Sequence, residues 1–156
     1  MSDDLFPPDT PDSFLTLCVG DWMSLRSLFA LSGGDDDWHT SERGELKVQS
    51  APGQEAEIGQ LEVSSTSGSV NSLHFAIDGR LTIQSVTQQQ QGRWRFWPDG
   101  SMELNLPQPD GGLVQERIWF TRANLRLRST TSLDADGHPL EGSFCTDIRR
   151  ISKPSS

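Results

Sequence analysis

The chain has 156 residues, enough for one domain with a sizeable core and too few for two. Hydrophobic residues make up 33% and charged residues 22%, and 14 Gly with 9 Pro indicate a globular chain rich in turns. The formal charge of −9 excludes a general nucleic-acid binder, because contacts to phosphate require a basic surface.

The N-terminal residues 1–12 contain three prolines and four aspartates, which predicts a disordered acidic lead-in. A short helix over "SFLTLCVG" follows, with Asp12 or Ser13 as its cap and Gly20 at its end. We expect residues 13–152 to form a single domain and residues 153–156 to be a tail.

The next stretch, "DWMSLRSLFAL", alternates between two faces and is predicted as a strand, although it could also prolong the helix. From Glu45 onward, short strand patterns alternate with turns, and no segment after Gly44 resembles a helix. Such a run indicates a meander, which removes its own edges by closing into a barrel. The candidates are "ELKV", "EIGQLEV", "SLHFAI", "LTIQSV", "GRWRFW", "SMELNL", "LVQERIWF", "LRLRSTTS" and "GSFCTDIRRI".

Two turns give the register of their hairpins. In "FWPDGSM", a three-residue loop pairs Trp97 with Ser101, and Pro-Asp-Gly suits a type I turn with a left-handed glycine. In "HFAIDGRLTI", a three-residue loop is favoured over a tight Asp-Gly turn, because it keeps the apolar residues on one face. Those residues are Leu73, Phe75, Ile77, Leu81 and Ile83.

No motif of a nucleophile with its base is present, and the three histidines have no partners at the spacing of a metal site or triad. Cys18 and Cys145 have no metal-like spacing and are interpreted as inert core thiols in a reducing compartment. No apolar run approaches the ~20 residues of a membrane span, and no signal pattern begins the chain. The sequence therefore predicts a cytoplasmic binding protein, or an enzyme that works by holding a reactive ligand.

The cations are eleven Arg against two Lys, and Arg grips carboxylates with a planar fork, although a GC-rich genome would give the same bias. Spacing alone favours an outer, solvated face for them. In the hairpin "ERIWFTRANLRLRST", a four-residue loop would leave Trp119 with Arg126 and Arg128. A three- or five-residue loop would place Glu116 with those arginines instead, and the sequence does not choose. The polar candidates are Arg26, Glu116, Arg117, Arg122, Arg126, Arg128, Arg149 and Arg150.

Four stretches resemble the S-type phycobiliprotein lyases, the CpcS/CpeS/CpeU group of cyanobacteria and phycobilisome-bearing algae. They are "GDWMSLRS" at 20–27, "GRWRFWPDGSMELN" at 92–105, "ERIWFTRANLRLRST" at 116–130 and "GSFCTDIRRI" at 142–151. Their order and near-verbatim spacing make the resemblance specific, whereas the region from about 31 to 90 departs from the family's pattern.

The resemblance implies an all-β, lipocalin-like antiparallel up-and-down barrel of about ten strands with a short N-terminal helix. It also implies a lyase that joins phycocyanobilin or phycoerythrobilin to a cysteine of an apo-phycobiliprotein subunit, phycocyanin or phycoerythrin. The alternative function is that of a non-catalytic bilin carrier or of a helper subunit in a heteromeric lyase. The resemblance also allows a homodimer or a heteromer with a related lyase subunit. We expect a cyanobacterial cytosol or an algal plastid stroma as its location.

By the same resemblance, Glu116 and Arg126 are the expected catalytic residues. No metal site is expected. The further residues expected to contact the bilin are Arg26, Ser27, Trp94, Trp119, Arg128 and Arg149.

Overall fold

The computed structural model describes residues 6–30 and 39–151. The acidic runs at 1–5 and 33–38 and the tail at 153–156 lie outside these ranges. The helix α1, Pro11–Cys18, starts earlier than expected, because Thr10 is its cap. The Thr10 hydroxyl accepts from Ser13 N at 3.1 Å, while Ser13 Oγ accepts from Thr10 N at 3.1 Å. This reciprocal pair satisfies two backbone donors that the helix leaves open.

The N-terminal segment before α1 packs on the barrel. Pro8 is buried, and its carbonyl oxygen would lie 2.9 Å from a Cβ placed on Gly100. Within the lead-in expected over residues 1–12, Pro8 therefore covers the turn at Gly100, and Pro11 and Asp12 belong to α1.

Within the described ranges, ten strands follow the helix, and the stretch that could have prolonged α1 is the first of them. The strands are β1 (Gly20–Ala30), β2 (His39–Ala51), β3 (Glu57–Ser65), β4 (Val70–Ala76), β5 (Arg80–Gln84), β6 (Gln89–Phe96), β7 (Met102–Pro107), β8 (Leu113–Arg122), β9 (Leu125–Leu133) and β10 (Pro139–Arg149).

Every strand pairs antiparallel with its neighbours in sequence, and β1 pairs with β10 to close the barrel. This is the up-and-down barrel predicted from the run of short strands. Closure pairs both edges of the sheet, which removes the open edge where other chains could add.

One end of the barrel is closed by α1. Phe14 is buried and packs edge-on against Phe96 and Phe120, with ring centroids 6.2 and 5.4 Å apart. Trp22 and Leu81 are fully buried beside it and continue the core into the barrel. Apolar side chains therefore fill the barrel from this end, and a ligand has to enter from the other.

The two turns with predicted register form three-residue loops. Trp97 N donates to Ser101 O at 2.8 Å, as expected. In the second hairpin Phe75 lies opposite Leu81, so the loop length was also correct. Ile77, however, was expected on the core face and is 66% exposed, because it belongs to the loop itself and does not alternate with the strand.

No helix within the described ranges is long and apolar enough to cross a membrane.

Candidate functional site

The register of the β8–β9 hairpin decides which face carries the charges. Phe120 lies opposite Arg126, Ile118 opposite Arg128 and Glu116 opposite Thr130. The hairpin ends in a tight turn, and a register shift between Phe120 and Arg122 adds one residue to β8. Five residues thus separate the paired Phe120 and Arg126, which corresponds to the predicted five-residue loop. Glu116 therefore shares a face with both arginines.

That face is the inside of the barrel. Ile118 and Arg126 are only 8% and 5% exposed, and Leu104, which lies opposite Glu116, is buried in the core. The interpretation from spacing alone, that the charges of this hairpin meet water on the outer face, is wrong for Arg126 and Arg128, because both bind the buried Asp147 of β10. The β-bulge at the end of β8 brings Glu116 to the same face, because one extra residue changes the face of β8 relative to β9.

A buried carboxylate from β10 holds the two arginines together. Arg126 Nε donates to Asp147 Oδ2 at 2.9 Å, and Arg128 Nε donates to the same oxygen at 2.7 Å. Arg128 Nη2 also donates to Asp147 Oδ1 at 3.1 Å and to Ser24 Oγ at 3.3 Å. Asp147 has no exposed surface, so the pairs are shielded from solvent.

Asp147 was not among the residues predicted from the sequence, although it lies in the motif at 142–151. The available signal was the alternation of Cys145, Asp147 and Arg149 on one face of a strand that carries apolar residues. Its partners are about twenty positions earlier in the chain, and only the pairing of β9 with β10 places Asp147 opposite Arg126.

The electrostatics of this cluster favour full ionisation. Burial alone would raise the pKa of Asp147, but the charge of Arg126 and the hydrogen bond and charge of Arg128 outweigh it, so the pKa lies below its usual value. Burial also opposes the charged form of Arg128, and its bonds to Asp147 outweigh that effect and raise the pKa of the guanidinium. Two cations and one anion leave the cluster with one net positive charge.

Cys145 lies on the same inner face and is buried. Burial raises the pKa of its thiol, and the opposing charge of Arg128 is the weaker influence. The thiol is therefore protonated at neutral pH and a poor nucleophile. Cys18 is likewise buried with a raised pKa, and both cysteines are free, as expected for core thiols.

Arg126 and Glu116 take different positions inside the barrel. The guanidinium of Arg126 lies 4.9 Å from the centre of the buried Trp22 ring, so Arg126 forms part of the floor. Glu116 is half-buried on the wall, and the hydroxyl of Thr130 donates to its Oε2 at 3.0 Å. The other carboxylate oxygen, Oε1, accepts no hydrogen bond from any residue within 6–30 or 39–151.

A cavity of about 440 Å³ lies at the open end, within the size range of small-molecule sites. Arg26 reaches its rim and makes a loose contact of 3.8 Å with Glu42, both largely exposed. Gly44 contributes no side chain to the wall. The lining residues are Ser24, Arg26, Glu42, Arg43, Gly44, Glu45, Leu46, Val63, Ser65, Thr66, Ser67, Ser69 and Arg128.

Two residues expected to contact the ligand lie on the outer face instead. Ser27 lies between the inward-facing Arg26 and Leu28, and Trp119 lies between Ile118 and Phe120. Because neighbouring residues of a strand point to opposite faces, these positions cannot enter the barrel. The Trp119 ring packs edge-on against Phe144 on the outer face, 6.5 Å between centroids.

Arg149 is inward-facing but closes the barrel. Its guanidinium stacks on the Trp22 ring at 4.1 Å and donates to the carbonyl oxygens of Leu17, Val19 and Ala123. These bonds tie the end of α1 to the β8–β9 turn. Arg149 Nε also donates to Asn124 Oδ1 at 3.0 Å, so that the structure places Arg149 at the closed end, and its expected contact with a ligand stays a prediction.

Trp94 faces the barrel interior as expected. Its Nε1 donates to Ala76 O at 2.8 Å, and its ring packs edge-on against Phe75 at 6.2 Å. The remaining ring surface is half-buried and lies in the same row as Leu104 and Glu116. Trp94 can therefore offer a π-face to a ligand while its N–H is already paired.

The other polar candidates lie outside the barrel. Arg117 binds Asp99 at 3.0 Å, Arg150 pairs with Glu45, and Arg122 is exposed near the hairpin turn. A group of possible metal ligands, Asp134, Asp136 and His138, lies in the β9–β10 turn, away from the cavity.

Three comparisons relate the chain to known proteins. A family profile described as CpeS-like protein matches residues 80–150. A protein of Paulinella chromatophora, named chromophore lyase CpcS/CpeS 1, is 43% identical over 149 residues, which cover 96% of this chain and 93% of that protein.

Among solved structures, the S-type phycobiliprotein lyase CPES from Guillardia theta is similar over 97% of this chain and 98% of that chain, with a TM-score of 0.71 and 20% identity. A DUF3598-family protein of unknown function from Nostoc punctiforme has a TM-score of 0.60 and 20% identity. That similarity covers 87% of this chain and 48% of the Nostoc chain. Both similarities concern the fold.

Proposed function

The chain belongs to the CpcS/CpeS chromophore lyase family, and we propose that it holds its bilin inside the barrel, between Glu116 on β8 and Arg128 on β9. Membership makes the protein a lyase that attaches a bilin to a phycobiliprotein. The residues that carry this work, the kind of bilin and the acceptor subunit are our proposals.

The observation that carries the proposal is a polar cluster inside a barrel whose other end is filled. A bilin is a long π-system with pyrrole nitrogens and two propionates. Arg128 lines the cavity, and a guanidinium binds a carboxylate with paired donors. Arg26 at the rim is a second donor, because an exposed contact of 3.8 Å to Glu42 is easily exchanged.

Glu116 supplies the complementary chemistry. Its free carboxylate oxygen can accept hydrogen bonds from pyrrole N–H groups, and a negative charge beside the bilin favours the protonated, cationic form. A cationic bilin is the better electrophile. Trp94 adds a half-buried ring face for stacking on a pyrrole.

The reaction needs no nucleophile from this chain. The sulfur of the acceptor cysteine bonds to the ethylidene carbon of ring A, and the thiol proton goes to the adjacent ring carbon, so that no group leaves. The barrel contributes by fixing the bilin conformation and presenting ring A at the open end, which is catalysis by positioning. Cys145, protonated and buried, takes no part in this step.

The proposed substrate is phycocyanobilin or phycoerythrobilin, and the proposed partner is an apo-phycocyanin or apo-phycoerythrin subunit. The reaction would take place where such subunits are made, in a cyanobacterial cytosol or a plastid stroma.

The test combines the purified protein, each bilin in turn and each apo-subunit. Zinc-induced fluorescence of the subunit after denaturing electrophoresis, together with a native-like absorption band, supports the proposal. A colour change of the bilin with no covalent product in any combination indicates a carrier or helper subunit instead. The variant Arg128→Gln is the matched negative control, and Arg117→Gln, on the outer face, should transfer like the parent.

A further inference from the structure

Asp147 lies behind the proposed bilin site and contacts no open part of the cavity. We infer that Asp147 is a positioning residue, which turns Arg128 towards the ligand and limits the cluster to the binding of one bilin carboxylate. The inference rests on the proposed function. It adds the role of Asp147 and the number of bilin carboxylates that the cluster binds.

The orientation follows from which guanidinium atoms Asp147 occupies. The carboxylate takes Arg128 Nε and Nη2, at 2.7 and 3.1 Å, in a paired contact along one edge. Ser24 Oγ, at 3.3 Å from Nη2, fixes the same edge from β1. Arg128 Nη1 donates to no residue that the structure describes, and Arg128 lines the cavity. The contact with Asp147 therefore leaves one set of N–H donors for a ligand.

The charge of the cluster limits how many anions it can bind. Arg126 and Arg128 carry two positive charges and Asp147 carries one negative charge, so that the cluster has a single positive charge to neutralise. Without Asp147, two buried arginines would repel each other and would need two anions. With Asp147 in place, one carboxylate of the ligand neutralises the remaining positive charge of the cluster. The second propionate of a bilin would then be bound elsewhere, and Arg26 at the rim is the available cation.

Two further charged groups act on the cluster, and their charges cancel. The negative charge of Glu116 on β8 acts on Arg128, and the positive charge of Arg149 acts on Arg126, so that one net positive charge remains. Cys145 is a neutral thiol. Asp147 is thus the acid that sets the direction of Arg128.

The test compares the binding of phycocyanobilin with that of its dimethyl ester, which lacks both carboxylates but keeps the chromophore. Titrations followed by absorption give the two dissociation constants and their ratio. In the parent, the free acid should bind about tenfold to a hundredfold more tightly, as expected for hydrogen bonds to a charged group. Arg128→Gln should lose most of this preference, and Arg117→Gln, outside the barrel, should keep it.

The variant Asp147→Asn should lower the preference to within about threefold of that of Arg128→Gln, because the freed guanidinium no longer faces the cavity. A role in folding alone would lower the melting temperature and leave the ratio unchanged. If Asp147→Asn does not fold, Asp147→Glu keeps the charge and displaces Arg128 by one methylene, and it should reduce the ratio in part.

A parental ratio in Asp147→Asn, or in Asp147→Glu where only that variant folds, overturns the inference. Equal binding of acid and ester by the parent also overturns it, while the proposed function stands as long as bilin transfer continues. A parent that neither binds nor transfers bilin contradicts the proposed function itself.

Discussion

Phe120 lies directly opposite Arg126 across the β8–β9 hairpin. This pair sets the parity of both strands, so that Glu116, Arg126 and Arg128 face inward and Trp119 faces outward. A hairpin shorter by one residue would change the face of one strand relative to the other, so that Trp119 instead of Glu116 would share a face with Arg126 and Arg128. The chemistry of the barrel interior thus depends on the single extra residue between Phe120 and Arg122.

The absence of a side chain at Gly44 keeps the cavity open. A Cβ placed there meets nothing within 4 Å, and its backbone lies outside the left-handed region. Gly44→Leu should therefore fold with an unchanged melting temperature and bind bilin at least about tenfold more weakly, since glycine in a strand often marks close approach of a ligand. Gln49→Leu, on the outer face of the same strand, is the control. Unchanged affinity in Gly44→Leu would show that the bilin does not occupy this cavity.

The side chain of Arg149 should contribute more to the free energy of unfolding than that of Arg150. Its guanidinium stacks on Trp22 and donates to three carbonyl oxygens at the closed end. Arg149→Met should lower the free energy of unfolding by about 2–4 kcal/mol, because buried carbonyls lose charged donors. Arg150→Met breaks an exposed ion pair with Glu45 and should cost about 0–1 kcal/mol. Urea unfolding at neutral pH measures both, and equal losses would contradict the assigned role of Arg149.

The ion pairs of Asp147 should make stability depend on pH. Its pKa in the folded protein lies below the value of an unfolded aspartate, about 3.9. The unfolded chain therefore takes up this proton first as the pH falls. The stabilisation is complete above about pH 5 and is lost as the pH falls through the folded pKa.

The variant Asp147→Asn isolates this effect from the other carboxylates. At pH 7 it should be less stable than the parent by about 3–5 kcal/mol, the usual loss when one partner of a buried pair is removed. The difference should narrow steadily below pH 4 in urea unfolding measurements. A difference that is constant from pH 7 to pH 2.5 would mean that folding does not lower the pKa of Asp147, contrary to the ion pairs assigned to it.

Trp119 should be dispensable for the ligand. Its ring packs on Phe144 outside the barrel, so Trp119→Ala should bind bilin within about twofold of the parent affinity, even if its melting temperature falls. A loss of more than tenfold at a temperature where the variant is folded would reverse the assignment of this face. Absorption titration and circular dichroism on the same sample provide both measurements.

Much of this architecture could be predicted, because it depends on local patterns. The alternation of Trp22, Ser24 and Arg26 identified β1. The Pro-Asp-Gly turn between β6 and β7 gave the register of the β6–β7 hairpin. The regular run of strands indicated a closed meander. Such features follow from side-chain period and turn geometry, which neighbouring residues determine.

The rest depended on contacts between distant residues. The bulge before Arg122 lies next to the turn where Arg149 donates to Ala123 O, and no local pattern fixes it. Asp147 is identified only once β10 is paired with β9. The role of Arg149 differs from that of the other arginines because the carbonyl oxygen of Leu17 in α1 lies close to it, which the sequence does not show. The family resemblance named residues on β1, β6, β8, β9 and β10, but it did not tell the inward Arg26 from the outward Ser27.

A matched pair of carboxylate substitutions tests whether Glu116 inside the barrel contacts the bilin. Glu116→Gln removes the inward carboxylate, and Glu103→Gln removes the half-buried carboxylate opposite Arg117 on the outer face. Bilin titration should show affinity weakened by about tenfold or more in Glu116→Gln, with the absorption band shifted towards that of neutral bilin, and parental behaviour in Glu103→Gln. Parental affinity and spectrum in a folded Glu116→Gln would show that Glu116 does not contact the bilin.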